Sequence, residues 1–533
     1  MAPPIIVFTV YGIEIPIRFR PKIKHAPPMS PMTNARAMIP RIVPTRRALL
    51  PFDFPSKSDI ALMLFLYLIE YTVLDLIPVF NFFLVPLHTR VFSPEGYGTI
   101  TNVYGWMAIL NVIFLFGMET AYLRFSSKSD QDELVVFRTG QTIIFFICLI
   151  SGFVFLLFSF TQSNFVNPDQ FSLVVYAGLT IVVDAICALP FARLRKRGKS
   201  KLFSIYKIIN VGLLILLNIW LLVFQTATPE KVFLANLIAN ACYLIFFYKD
   251  LIGFRPVGRN ALLLPMFKYA YPVMLTGLAG MTNEMFSRVS IERWLPENFY
   301  EGKSGAYIQG VFGACYKFAI LMSLVVQAFR LAAEPFFFQQ AENKNSPTLF
   351  ASVNHAFSSI ATLFMLLIGF NMEVFKYFIS EAYWSGLEIV PLLLLGYLFL
   401  GVYYNMTVWF KITDRTIFGT WITGIGALVT IALNFLLIPY YGITGSAFVT
   451  FFCYFSMTLL CYVFGQRYFP IPYTLKRDFI TIFMGYVILQ IYISFGPIFG
   501  FSGILPGMTL SLIAIISFWF LEKNQIRRNF LSV

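Results

Sequence analysis

Residues 171–224 read FSLVVYAGLTIVVDAICALPFARLRKRGKSKLFSIYKIINVGLLILLNIWLLVF. An apolar run broken only by Asp184 leads into a knot of cations, Arg193, Arg195, Lys196, Arg197, Lys199, Lys201 and Lys207, and then into a second apolar run. Each run is close to the roughly 20 residues that a helix needs to cross a bilayer. Both are continuous rather than alternating, which is the pattern of a helix and not of a barrel strand. The stretch therefore predicts two membrane helices joined by a short loop, and loops rich in Lys and Arg stay in the cytoplasm.

The same pattern repeats in both directions. Spans are predicted at about 60–87, 99–124, 139–161, 170–192, 203–224, 231–248, 266–288, 305–329, 350–372, 388–410, 416–438, 443–465, 478–499 and 502–521. Of the 40 Lys and Arg residues, 33 fall in the N-terminal tail and the even-numbered gaps. Six fall in the odd-numbered gaps (Arg90, Lys231, Arg288, Arg293, Lys303, Lys376), and Lys317 lies inside a span. A missed or extra span would reverse this alternation from that point on, and it never reverses. The expected fold is an all-α polytopic membrane protein of about 14 transmembrane helices, with both termini cytoplasmic.

Composition agrees. Apolar residues make up 58% of the chain and charged residues 12%, against about 45–50% and 25% in soluble domains. The net charge of +14 follows topology instead of forming a patch, which argues against nucleic acid. All six cysteines sit in apolar segments and imply no disulfide framework. The three histidines show no metal-ligand spacing, and no cofactor is expected. The tripeptides Gly198–Ser200 and Gly302–Ser304 lack the earlier glycine of a phosphate loop, with Arg193 and Glu297 in its place. No gap can hold a folded catalytic domain, so the chain does not read as an enzyme.

Residues 1–58 are Pro-rich and basic and are expected to form a cytoplasmic tail without a fold. Residues 59–248 and 266–466 each supply six spans, separated by a linker at 249–265, and residues 467–533 add two more. Two six-helix lobes are a common transporter plan, with the substrate site between them.

Several stretches carry a family resemblance: NFFLVPLHTRVFSPEGYG (81–98), GMETAYLRF (117–125), ALPFARLR (188–195), KYAYPVMLTGLAGMTNEMFSRVSIERWLP (268–296), YKFAILMSLVVQAFRLAAEPFFF (316–338) and YYNMTVWFKITDRTIFGTW (403–421). In order and spacing they resemble the polysaccharide-transport branch of the multidrug/oligosaccharidyl-lipid/polysaccharide (MOP) exporter superfamily, over about residues 74 to 480. His88 stands where the family often has Tyr, and Ser287 where many members have Asp. The resemblance implies a flippase of the bacterial inner membrane, with two lobes in a V and two extra helices. It would work by alternating access on an undecaprenyl-pyrophosphate-linked oligosaccharide of the lipopolysaccharide or O-antigen kind. It would be a monomer, in contact with glycan-assembly enzymes and membrane lipids.

Ionisable residues inside a bilayer cost roughly 2.5–3.5 kcal/mol each and usually face a cavity or a partner. Here they are Glu70, Asp75, Glu119, Asp184, Glu284, Arg288, Glu292 and Lys317. A pyrophosphate headgroup needs fixed cations on its path. Lys317 is the deepest, with Arg288 and Arg90 approaching from the outer ends of their spans; the competing reading pairs Lys317 with Asp184. Glu284, Arg288 and Glu292 share one helical face, either as a substrate-contacting stripe or as a self-satisfied pair. Glu119 with Arg124, and Arg330 with Glu334, close their spans at the cytoplasmic rim, as gate residues or interface anchors. Asp75 and Asp184 are candidates for ion coupling. They keep open a second function, an ion-coupled multidrug or metabolite antiporter of the same superfamily. A membrane glycosyltransferase or polymerase is disfavoured, because the outer gaps are too short for a catalytic loop.

Reporter fusions after about residues 165, 300, 380 and 500 are expected to read periplasmic, and fusions after about 200, 258, 345, 413 and 473 cytoplasmic. A cytoplasmic signal at 300 would show that the first half is miscounted.

Overall fold

A computed structural model describes residues 5–10, 13–18, 82–127, 131–161, 168–257, 260–341, 343, 345–498 and 503–530. The long apolar runs are helices: α1 (Val85–Val91), α2 (Pro94–Leu115), α3 (Met118–Ser126), α4 (Glu133–Thr161), α5 (Pro168–Lys196), α6 (Ser200–Val223), α7 (Pro229–Phe246), α8 (Leu263–Trp294), α9 (Gly305–Gln340), α10 (Ser346–Phe370), α11 (Val390–Met406), α12 (Ile417–Tyr468), α13 (Leu475–Phe495) and α14 (Ile504–Phe530). Among the described residues nine helices are long and apolar enough to cross a membrane. The chain is an all-α, multi-spanning membrane protein.

Two of these helices need more than their length to explain them. The second predicted span breaks into α2 and α3 at Phe116 and Gly117, both left-handed (φ 49° and 66°). The 52-residue α12 is two antiparallel helices, because Gly442 (φ 54°, ψ −133°) turns the chain between the predicted spans 416–438 and 443–465. The fold-back is visible in pairings whose partners recede from the turn on either side: Ser446 donates to Asn434 Oδ1 (3.1 Å), and the Cys453 thiol to the Gly426 carbonyl (3.6 Å). A φ of that sign strains any residue with a Cβ, and Tyr300 Oη stands 2.3 Å from where one would be.

Within residues 1–58, where no regular structure is expected, Ile5–Val10 pairs antiparallel with Ile13–Arg18. The alternation in IEIPIR supplies the two-residue period of a strand. Lys207, counted above with the basic gap, lies within α6.

Helix α2 holds the bundle together. It packs on α8 and α9 on one side and on α5 on the other, while α8, α9, α11 and α12 enclose the largest buried cluster. At the α2–α9 crossing the backbones touch. A Cβ on Gly98 would stand 2.0 Å from the Ala306 carbonyl oxygen, and one on Gly310 1.9 Å from that of Pro94. Without a hydrophobic drive between helices in lipid, such small-residue contacts supply the packing. At the far end of the fold, Asp478 on α13 is buried against α10. Its carboxylate meets His355 Nδ1 and accepts from Asn354 Nδ2 (3.2 Å) and the Thr474 hydroxyl (3.0 Å).

Gly98→Val and Gly310→Val should each prise α2 from α9 and lower the melting temperature of the purified protein. Overpacking of this kind costs about 1–3 kcal/mol. Gly152→Val and Gly212→Val, where a Cβ would meet nothing within 4 Å, should leave it nearly unchanged.

Candidate functional site

The buried polar residues gather where α8, α9, α11 and the second arm of α12 meet. On α8 the i, i+4 spacing brings Glu284 Oε1 to 3.4 Å from Arg288 Nη2. The Arg288 guanidinium lies 3.9 Å from the ring centre of Tyr316 on α9, a cation–π contact in a desolvated setting. Glu284 is also the acceptor for two phenols, Tyr397 of α11 and Tyr454 of α12 (the latter at 2.8 Å), and Tyr316 and Tyr397 share a hydroxyl contact of 3.0 Å. Three donors thus engage the carboxylate, whereas among the described residues Arg288 Nε is buried without a partner. One turn on, Glu292 leaves this cluster and accepts from Asn102 Nδ2 of α2 (2.8 Å). The predicted three-residue stripe is thus a pair plus a contact across the seam.

Below this pair, Ser287 and Asn283 on α8 join a neutral network. Asn434 donates to Ser287 (3.0 Å), Thr430 to Asn283 Oδ1 (3.5 Å) and Ser446 to Asn434.

Lys317 sits one residue after Tyr316, half-buried on α9. Among the described residues its ammonium has no hydrogen bond and no ion pair. The charged or chargeable groups whose fields reach it are Arg288 and His88. His88, on α1, is itself buried and bonded to Asn218 of α6 at 2.9 Å. Asp184 is not the partner of Lys317. It accepts from Asn240 Nδ2 (2.9 Å), which accepts in turn from Asn210 (2.8 Å). The cation nearby is Lys207, whose ammonium lies over Phe191 (4.4 Å) and Tyr243 (4.7 Å). Nothing in the residue pattern points to this, because Lys207 reads as part of the basic loop.

The remaining predicted residues lie at the ends of the helices. Arg90 is exposed and donates to the Tyr377 carbonyl at 3.5 Å, apart from the central cluster. Glu119 pairs with Arg195, not with Arg124, which stacks over Tyr269 at 4.3 Å. Glu334 pairs with Lys411, not with Arg330, which lies 4.7 Å over the Tyr404 ring. On α3–α5 the motif residues become a staple: Arg193 bridges Glu133 (2.8 Å) and Asp250 (2.7 Å), and Arg197 adds a second bond to Glu133 (3.2 Å). Asp75 and Glu70 lie outside the described residues.

Comparison with known proteins supplies the frame for this geometry. The family model described as polysaccharide biosynthesis protein matches residues 69–329. The Lipid II flippase MurJ in an inward closed conformation matches with a TM-score of 0.66 at 14% identity, over 87% of this chain and 100% of that one. An inward-facing multidrug resistance MATE family transporter of the MOP superfamily matches at 0.51 and 12% identity, over 74% and 94%. The chain shares the fold of these two transporters. This MOP-type fold is shared by flippases and by MATE antiporters, so fold alone does not choose between lipid and drug. Curated proteins give no match.

Glu284→Leu removes the carboxylate beside a buried guanidinium and strips two phenols of their acceptor. It should lower abundance and melting temperature, by the roughly 3–5 kcal/mol that follows breaking a buried pair. Tyr316→Phe keeps the ring under Arg288 and should be far milder. Melting curves of the two variants in one detergent make the comparison.

Proposed function

We propose that this protein is a flippase that moves an undecaprenyl-pyrophosphate-linked oligosaccharide across a bacterial inner membrane by alternating access. The observation that carries this reading is Lys317. It is a half-buried ammonium without an acid partner among the described residues, beside a buried guanidinium with a free Nε. An uncompensated cation inside a bilayer protein is costly, and a transient anionic headgroup would compensate it. In this reading Lys317 and Arg288 bind the pyrophosphate, Arg90 marks the outer exit, and Glu284 fixes Arg288 in place. The lobes are 59–248 and 266–466, with both termini cytoplasmic by the charge distribution. The seam at Gly98 and Gly310 then lies towards the outer side.

The alternative is an antiporter for small cations, which needs a central carboxylate free to receive cargo. Glu284 is the central acid among the described residues, and it is already engaged by Arg288, Tyr397 and Tyr454. Asp184 supports ion coupling as a half-buried acid bonded to Asn240.

Lys317→Ala should reduce export of the cognate glycan by about tenfold or more, as expected for loss of a charge-assisted bond, with the protein at normal abundance. Lys317→Arg should keep part of the activity. Lys317→Ala with Asp184→Asn should not restore export, since Asp184 is held by Asn240. A fall in abundance on Lys317→Ala, recovered together with transport in the double variant, would assign Lys317 to helix pairing and overturn the headgroup role. Immunoblots and glycan export measured in the same cells decide it.

A further inference from the structure

A cavity of about 570 Å³ opens where the end of α12 turns into α13, lined by Tyr462, Tyr473, Thr474, Lys476, Arg477 and Ile480 among others. It belongs neither to the central cluster nor to the α3–α5 staple. Its rim carries two exposed cations, Lys476 and Arg477, in the first turn of a 21-residue helix. The first intrahelical bond of α13 runs from the Asp478 N–H to the Thr474 carbonyl, so the earlier N–H groups lack intrahelical acceptors, and no side chain caps them. The Thr474 hydroxyl is turned to Asp478 instead. The Tyr473 hydroxyl is buried with no hydrogen-bond partner. From this polar rim an exposed apolar strip, Phe479, Ile480, Phe483 and Met484, runs along α13.

The wall behind the cavity is rigid. Asp478 is fixed by His355, Asn354 and Thr474, and Ile471 is buried with Phe337, Phe350 and Val408. These contacts hold the start of α13 in place beside the cavity, and a backbone already held lowers the ordering cost of binding. Two exposed cations beside the uncapped N–H groups of the helix start suit a phosphate. The apolar strip directly beyond suits acyl chains.

We propose that this cavity is a headgroup site for an anionic phospholipid of the leaflet that the basic loops face. Lys476 and Arg477 meet the phosphate, and the acyl chains lie along Phe479 and Phe483. The leaflet assignment rests on the orientation proposed above. The site itself does not depend on what the central cavity carries.

The full-length protein in detergent is titrated with phosphatidylglycerol and, separately, with phosphatidylcholine, and bound lipid is read by native mass spectrometry. The expected result is one preferentially retained phosphatidylglycerol. Its affinity should fall about thirtyfold in Lys476→Gln/Arg477→Gln, at roughly fivefold per cation near an anionic surface. The charge-preserving Lys476→Arg/Arg477→Lys should retain it, and Lys199→Gln/Lys201→Gln, in a different basic loop, should leave it unchanged. Lys317→Ala should also leave it unchanged, which separates this test from the transport reading. Equal affinity for phosphatidylcholine, or no loss in the double Gln variant, would overturn the proposal. Displacement by excess inorganic phosphate would reassign the cavity to free anions. Displacement by an equimolar polyprenyl pyrophosphate would reassign it to the transported lipid; either result ends the phospholipid assignment.

Discussion

The cost of leaving a charge unpaired in hydrocarbon organises this molecule. Water cannot reach most of the helix surface, so each intramembrane ionisable group must find a partner within the fold or a cargo that supplies one. The partners found here are varied: Arg288 has a carboxylate and an aromatic face, Lys207 two aromatic rings and the field of Asp184, and Asp478 a histidine, an asparagine and a threonine. Against that background Lys317 stands out, because among the described residues it has no acid partner and its charged neighbour is the Arg288 guanidinium.

The rule also explains why α8 is central. Its C-terminal half carries Asn283, Glu284, Ser287 and Arg288, and this cluster bonds to α11 and to both arms of α12. Its first turns bury Met266 and Ala270 against α3, α4 and α5. Pro272 sits between these two sections and removes a backbone bond there. One helix thus belongs to two packing environments, and the polar network fixes only one of them.

Much of this was legible in the sequence and some was not, for definite reasons. The helices were legible because a bilayer demands long apolar runs, and the turn at Gly442 because two spans do not fit a single crossing. The place of Lys317 inside a long helix was legible because it lies in the middle of an apolar run. The pairings of Glu119 and Glu334 were not: sequence proximity offered Arg124 and Arg330, but their side chains stack on Tyr269 and Tyr404, and the acids turn to Arg195 and Lys411 on neighbouring helices. Only the packing order of the helices decides such choices. His355 and Asp478 escaped notice because each lies near the edge of its predicted span, where an ionisable residue usually reaches water.

The distribution of strong and weak contacts bears on how such a fold can move. The staple of Glu119, Glu133, Arg193, Arg195 and Asp250 ties α3, α4 and α5 to the residues after α7, and Glu334–Lys411 and His355–Asp478 tie α9, α10 and α13 with the segment after α11. These contacts each stay on one side of the seam. Across it run contacts of another kind: glycine against backbone, Asn102 to Glu292, the Tyr383 hydroxyl to the Phe92 carbonyl (2.9 Å) and Arg90 to the Tyr377 carbonyl. Breaking an ion pair inside a low-dielectric protein strands two charges, whereas parting two helices at a glycine contact strands none. The α2–α9 seam is thus a boundary that no ion pair among the described residues crosses, and Lys317 lies on α9, one of the two helices that form it.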